Sequence, residues 1–98
     1  MEGEKRKYPR QQVDVKLFLL FPDREVPVNV RNISEGGALA AVEENHRDSI
    51  TSSDAGQIAR LRTEDGRTFA PSRARILRCF EEGGTKYVAL VLLNHRYA

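Results

Sequence analysis

Val26-Pro27-Val28-Asn29-Val30-Arg31-Asn32-Ile33-Ser34-Glu35-Gly36-Gly37 changes character in the middle. Its first half alternates Val26, Val28 and Val30 with Pro27, Asn29 and Arg31. A period of two marks a strand with one buried face. Pro27 has no amide donor, so it predicts an edge strand or a bulge. The second half is polar and then bare of side chains. Gly36 and Gly37 allow backbone angles that other residues adopt only with strain, and they let a ligand or another strand come close. Asn32 and Ser34 are two apart. If the chain leaves the strand still extended, both side chains point to the same face. An amide and a hydroxyl then sit beside stripped backbone, which makes a polar docking ledge.

Working outward, Val13-Asp14-Val15-Lys16-Leu17 alternates strictly and continues into Phe18-Leu19-Leu20-Phe21. That predicts a first strand whose second half is buried on both sides. Pro22-Asp23 turns it into the Val26 strand. Ala38-Leu39-Ala40-Ala41-Val42 is a short third strand, and residues 43 to 56 are polar and read as a loop. The next stretch admits two readings. Ile58 and Leu61 are three apart, as on a helix that Asp54 would cap. Asp65-Gly66, however, is a hairpin-turn dipeptide. We therefore expect strands over 57–64 and 67–70. Residues 73 to 80 alternate again, with Ala74, Ile76 and Phe80 on one face. Gly83-Gly84 turns the chain into an apolar last strand, Tyr87 to Leu93. Short strands joined by Gly-rich turns predict an all-β fold, a small antiparallel barrel, because closing the sheet removes its exposed edges.

A chain of 98 residues makes one domain with a single modest core. Its 40% hydrophobic and 31% charged residues suit a small domain with much surface and do not suit a disordered segment. No stretch approaches the roughly 20 apolar residues of a membrane helix. Met1-Glu2-Gly3-Glu4-Lys5 lacks the apolar core of a secretory signal. The single cysteine, Cys79, excludes an intrachain disulfide. These features predict a cytoplasmic protein without membrane insertion. The net charge of +2 is carried entirely by residues 1–10, where Lys5, Arg6, Lys7 and Arg10 face only Glu2 and Glu4. Such an arm suits one small anionic partner better than a nucleic acid polymer, which wants a broad basic face.

No catalytic set is visible: there is no Ser-His-Asp order, metal cluster or phosphate loop, so no enzyme activity and no cofactor are expected. His46 and His95 have no partners in sequence and read as surface residues. Cys79 lies on a strand, with no Cys or His at metal-ligand spacing. Arg73 and Arg75 share a strand face and could contact a small anionic ligand, although exposed strand charges more often solvate. Asn32-Ile33-Ser34 also fits the glycosylation pattern, a coincidence in a chain without a signal peptide.

Two separated motifs carry a resemblance. Arg6-Lys7-Tyr8-Pro9-Arg10 gives Arg-x-x-x-Arg ahead of the first strand, and Asn32, Ser34 and Gly37 give Asn-x-Ser-x-x-Gly after the second. In this order the pair resembles the PilZ domain, over roughly residues 5 to 93. The resemblance implies a six-stranded barrel and binding of cyclic di-GMP, a bacterial second messenger with two guanines and two phosphates. It divides the chain into a basic arm at 1–12, a barrel at 13–93 and a short tail at 94–98. The chain stops at Asn94-His95-Arg96-Tyr97-Ala98 where members of this family commonly continue into a helix, so either the helix is absent or the chain is a fragment. The barrel end it would cover is then exposed or covered by another subunit, so oligomerisation stays open.

The residue types suit that ligand. Arg6 and Arg10 each offer a planar fork for guanine O6 and N7 or for a phosphate, and a plane that stacks on a purine. Asn32 offers its carbonyl oxygen to guanine N–H donors, Ser34 offers a hydrogen bond to a phosphate or base edge, and Gly37 with Gly36 leaves room for the ring. Tyr8 could stack on a base or cover the barrel. Lys5, just before the paired arginines, could meet a second ligand, and two per site are expected. The arm would fold over the ligand against the ledge and signal to an unidentified protein partner. Two other readings are a PilZ-like interaction domain that does not require the nucleotide, and a small-barrel RNA binder. The last would need exposed aromatics at stacking spacing, and the Phe and Tyr residues read as core.

Overall fold

Alternating apolar positions on six strands leave each strand one face to bury, and the chain buries all six by wrapping the sheet on itself. The structure, a computed structural model, describes residues 11–34, 36–66 and 68–93, with side chains except at 11, 12 and 68–71. The strands are β1 (Gln11–Phe21), β2 (Arg24–Ile33), β3 (Gly37–Val42), β4 (Ile58–Thr63), β5 (Thr68–Glu82) and β6 (Thr85–Leu93). They form a closed antiparallel barrel in the order β1-β2-β3-β6-β5-β4, with β1 hydrogen-bonded back to β4. The expected small six-stranded antiparallel barrel is what the chain forms. No α-helix occurs among the described residues. The absent C-terminal helix concerns residues 94–98, which lie outside them.

The core is the inward set: Leu17 and Leu19 on β1, Val26, Val28 and Val30 on β2, Leu61 on β4, Ile76 on β5, and Val88 and Leu90 on β6. Ala40, Ala59 and Ala74 complete it with small side chains. In a barrel this narrow, small residues facing large ones let the interior fill without strain.

Three details differ from the sequence reading. The 67–70 and 73–80 segments are one continuous strand, β5. Phe18, on the second half of β1, is only half-buried, because the outer barrel face has no second layer; Arg62 and Lys16 lie over its ring at 4.9 and 5.7 Å. Phe80 does not share the face of Ala74 and Ile76. A bulge between Ile76 and Arg78 shifts the phase by one residue, so Cys79 packs on the core and Phe80 turns outward against Tyr87, ring centroids 5.6 Å apart. The strand expected over 57–64 is β4, followed by the expected turn at Gly66, whose φ is 91°.

Pro27 corrects a fourth expectation. It lies neither on an edge nor in a bulge; it is buried in β2, between β1 and β3. Its missing donor faces the place where β3 stops. Val28 pairs with Val42 as the last β2–β3 partners, and Glu43 N–H still donates to the Pro27 carbonyl at 3.2 Å. The Glu43 carbonyl, which a proline cannot satisfy, accepts instead from His46 N–H at 2.8 Å. The proline thus ends β3 and hands the chain to a 3-10 turn.

The chain then travels from β3 to β4, which are not neighbours. Residues 43 to 56, expected as a loop, contain two 3-10 turns, Glu44–Ser49 and Ser52–Asp54. His46, expected at the surface, is half-buried in the first. Ile50 drops fully into the core between them. Lys86 donates to the carbonyls of Arg47 (2.6 Å) and Ile50 (2.8 Å), and Arg24 donates to that of Ser49 (2.7 Å). Asp54, 8% exposed, collects the crossover: its carboxylate accepts from Arg24 (2.6 Å), Thr51 N–H (2.9 Å) and Gln57 Nε2 (2.9 Å). Arg24 also stacks over Phe21 at 4.3 Å.

Removing one partner of a buried pair leaves the other charge uncompensated. Asp54→Ala should therefore lower stability by about 2–3 kcal/mol, a fall in melting temperature of roughly 10–20 °C for a domain this small. Asp23 bonds the same arginine from a solvent-exposed position, and Asp23→Ala should stay within about 0.5 kcal/mol. Thermal and urea unfolding of the two variants checks this; equal losses would remove Asp54 from its place as the crossover's anchor.

Candidate functional site

Two bulges build the site. On β2 the register with β3 slips between Val30 and Asn32, so Arg31 is the extra residue and Asn32 points outward after the inward Val30. On β5 the register with β6 slips between Ile76 and Arg78, so Leu77 is extra and Arg78 points outward. Bulges re-aim side chains in this way while the rest of the ladder continues. The result is one outward row across four strands: Asn32 pairs with Leu39, Leu39 with Ala89, and Ala89 with Arg78. Beside it a shallow groove of about 370 Å³ is lined by Asn32, Ser34, Gly37, Leu39, Arg78 and Phe80, among others.

Asn32 and Ser34 line the same groove, as their spacing requires. Asn32 lies inside β2, one residue before its end, and its amide makes no side-chain hydrogen bond among the described residues. Ser34 N–H donates to the Gly37 carbonyl at 2.9 Å and closes the β2–β3 turn. The Ser34 hydroxyl reaches the same carbonyl at 3.5 Å, a bond too long to hold it against a better acceptor. The glycines have different reasons. Among the described residues only Gly56, Gly66, Gly83 and Gly84 have positive φ, so neither Gly36 nor Gly37 is needed for a left-handed backbone. Gly37 is needed for closeness: a Cβ there would sit 2.8 Å from the Leu90 carbonyl on the neighbouring strand. At Gly36 a Cβ would meet nothing within 4 Å. Its carbonyl accepts from Leu92 N–H at 3.1 Å, which ties the turn to β6.

Arg78 is the residue the sequence reading missed. Its guanidinium lies 4.7 Å from the Phe80 ring centroid and has no ion pair among the described residues. The sequence carried a signal for it. Arg73 and Arg75 keep a period of two and Arg78 breaks it by one, while inward Ala74 and Ile76 are followed by Cys79. A one-residue slip on both faces at once is the mark of a bulge. Arg73 and Arg75, weighed as ligand contacts, lie on β5 outside the groove lining. Lys5, Arg6, Tyr8 and Arg10 lie outside the described residues. Burial pushes the Cys79 thiol above its ordinary pKa, which keeps it protonated and inert.

An amide, a hydroxyl and an unpaired guanidinium around a floor of Leu39 and Ala89 can hold a planar heterocycle with an anionic group beside it. Among the described residues no cluster of His, Cys, Asp and Glu is arranged to hold a metal ion, and no helix is long and apolar enough to cross a membrane.

The PilZ domain family model matches residues 4–96 of the chain. No curated protein matches it. Among solved structures, the inhibitor of motility MotI/DgrA from Bacillus subtilis superposes with a TM-score of 0.64 at 19% identity, covering 94% of this chain and 44% of that one. The PilZ domain of YcgR from Escherichia coli, solved with cyclic di-GMP, superposes with a TM-score of 0.63 at 15% identity over 93% of this chain and 79% of that one. The chain thus spans less than half the length of the MotI/DgrA chain it matches.

Gly37→Ala should destabilise the fold by about 1–3 kcal/mol, the usual range for overpacking against fixed atoms. Gly36→Ala should stay within about 0.5 kcal/mol. Chemical denaturation of both variants decides the point; a neutral Gly37→Ala would mean that β3 and β6 have room to part.

Proposed function

The chain belongs to the PilZ domain family, and from that premise we propose that it is a cyclic di-GMP receptor module without catalytic activity or cofactor. The observation that carries the reading is the meeting of Asn32, Ser34, Gly37 and Arg78 on one groove, together with the Arg-x-x-x-Arg segment at Arg6 and Arg10. Asn32 accepts from guanine N–H groups. Ser34 exchanges its long bond to Gly37 for a phosphate oxygen or base edge. Gly37, bare of side chain, keeps the ledge open to the purine ring, and Gly36 does the same at the turn. Arg78 supplies a planar fork from the opposite wall, suited to a phosphate or to guanine O6 and N7. Leu39 and Ala89 give the base an apolar floor. Arg6 and Arg10 close over the ligand from the N-terminal segment, and Lys5 meets a second ligand molecule, giving two per site. The receptor acts in the cytoplasm, and its closed form is what a protein partner reads.

Calorimetric titration with cyclic di-GMP, with GTP as control, tests this. Saturating ligand at ~100 times its dissociation constant adds about 2.7 kcal/mol of stability, which is expected as a melting shift of roughly 10–20 °C. Arg10→Lys should bind nearly as poorly as Arg10→Ala, because lysine keeps the charge but cannot grip through two parallel bonds or stack. Each, and Arg78→Ala, should lose roughly 5- to 150-fold in affinity, equivalent to about 1–3 kcal/mol. No binding by the wild type refutes the receptor reading. Wild-type binding with Arg10→Lys intact reduces the arm to long-range electrostatics, and one ligand per chain in a verified monomer refutes the role given to Lys5.

A further inference from the structure

A second feature lies on the outer face of β4 and β5, away from the groove. Arg60 on β4 and Arg73 on β5 are direct register partners, both exposed. Like charges placed opposite each other across a ladder destabilise the sheet. Arg75 follows two residues after Arg73 on the same face, and it too is exposed. Among the described residues, none of Arg60, Arg73 and Arg75 has an ion pair or a side-chain hydrogen bond. A cleft of about 400 Å³ opens here, walled by Arg60, Arg73 and Arg62, the last paired with Glu25 at 3.3 Å, and among the described residues no acidic side chain lines it. The large apolar side chains most exposed among the described residues flank Arg75. Ile58, its register partner, is 44% exposed, and Leu77, at the bulge, is 57% exposed. The surface is therefore basic and apolar at once.

We propose that the outer face of β4–β5 is a docking surface for an acidic amphipathic helix of a partner protein. Charge selects the sign of the partner. The termini outside the described residues are themselves basic: four Lys and Arg against two Glu in residues 1–10, and one Arg with no acid in 94–98. They do not complement this face. Closure selects the mode. At Arg60, Arg73 and Arg75 the strands are paired on both sides, so a partner cannot add a strand there and must lie across the face by its side chains. Spacing admits a helix. Arg73 and Arg75 are separated by two strand residues, about 6.6 Å, and carboxylates one helical turn apart repeat at about 5.4–6 Å. The apolar pair argues against a nucleic acid: Ile58 and Leu77 have no work on a phosphate backbone, and among the described side chains of this face the aromatic Phe18 is already covered by Arg62 and Lys16 and is not free for base stacking. The charged part of this face is separate from the cyclic di-GMP groove, because Arg60, Arg73, Ile58 and the cleft lie outside the groove lining, while Leu77 borders both surfaces.

The test uses the full 98-residue chain and three probes by fluorescence anisotropy: a helical Glu/Leu amphipathic peptide, the same composition scrambled, and a single-stranded oligothymidylate. The ordered peptide should bind best, and high salt should weaken it. Arg60→Glu/Arg73→Glu should bind it about tenfold more weakly or worse, since each lost arginine–carboxylate pair adds to the effect. Ile58→Ser should also weaken it severalfold. Arg60→Glu alone should melt at or above the wild-type temperature, because it replaces a like-charge pair by an opposite one; that separates lost docking from lost folding. Equal binding of ordered and scrambled peptides, preference for the oligonucleotide with Ile58→Ser unaffected, or absence of binding by all three would each overturn the proposal. So would self-association of the chain abolished by the same charge reversals, which would make a second copy the occupant.

Discussion

Closing six strands into a ring without a free edge is the constraint from which the rest follows. The ring shuts where β1 meets β4, through pairs from Leu17–Thr63 to Leu20–Arg60. Because β3 is flanked by β2 and β6, the chain must leave β3 and cross one end of the barrel to reach β4. That crossing exposes backbone groups that no ladder satisfies. Lys86 and Arg24 supply donors to three of its carbonyls, and Asp54 accepts from the rest of the knot. Ile50 seals the interior behind them. Charged side chains at partly buried positions are therefore the fastening of this fold, and its hydrophobic core alone would leave that end open.

The opposite end of β2 and the middle of β5 use irregularity instead. A strict period of two would have sent Asn32 inward and put Phe80 in the core. One extra residue on each strand, Arg31 and Leu77, reverses both. The same slips bring Arg78 into line with Asn32 across Leu39 and Ala89. Polar groups thus collect on the outside of a barrel whose inside has no room for them, and the close approach of Gly37 to Leu90 holds the ledge against β6.

Charge shows how a total can hide a pattern. Outside residues 1–10 the charges balance, which reads as a neutral domain. Folding unmixes them. The acids Glu43, Glu44, Asp54 and Glu81 answer Lys16, Arg47 and Arg24 around the crossover end. The Arg47 guanidinium beside Glu81 holds that carboxyl below its usual range. Arginines 60, 73 and 75 are left together on the other wall. Sequence position gave no hint of this, since Arg60 and Arg73 become neighbours only through the β4–β5 register.

The sequence by itself determined the all-β class, the small barrel, the hairpin turns at Asp65-Gly66 and Gly83-Gly84, and the joint facing of Asn32 and Ser34. Each of these is local physics: alternation, turn chemistry and the two-residue period act over a few residues and need no partner. The tertiary structure alone decided the rest. Pro27 looked like an edge residue until β3 was seen to stop beside it. Gly37 could serve a special backbone angle, a ligand or a neighbouring strand until Leu90 was seen above it. Arg78 went unassigned until a bulge placed it across from Asn32. In each case the meaning of a residue depends on what stands opposite it in another strand, and register between distant strands is set by closing the barrel around its core.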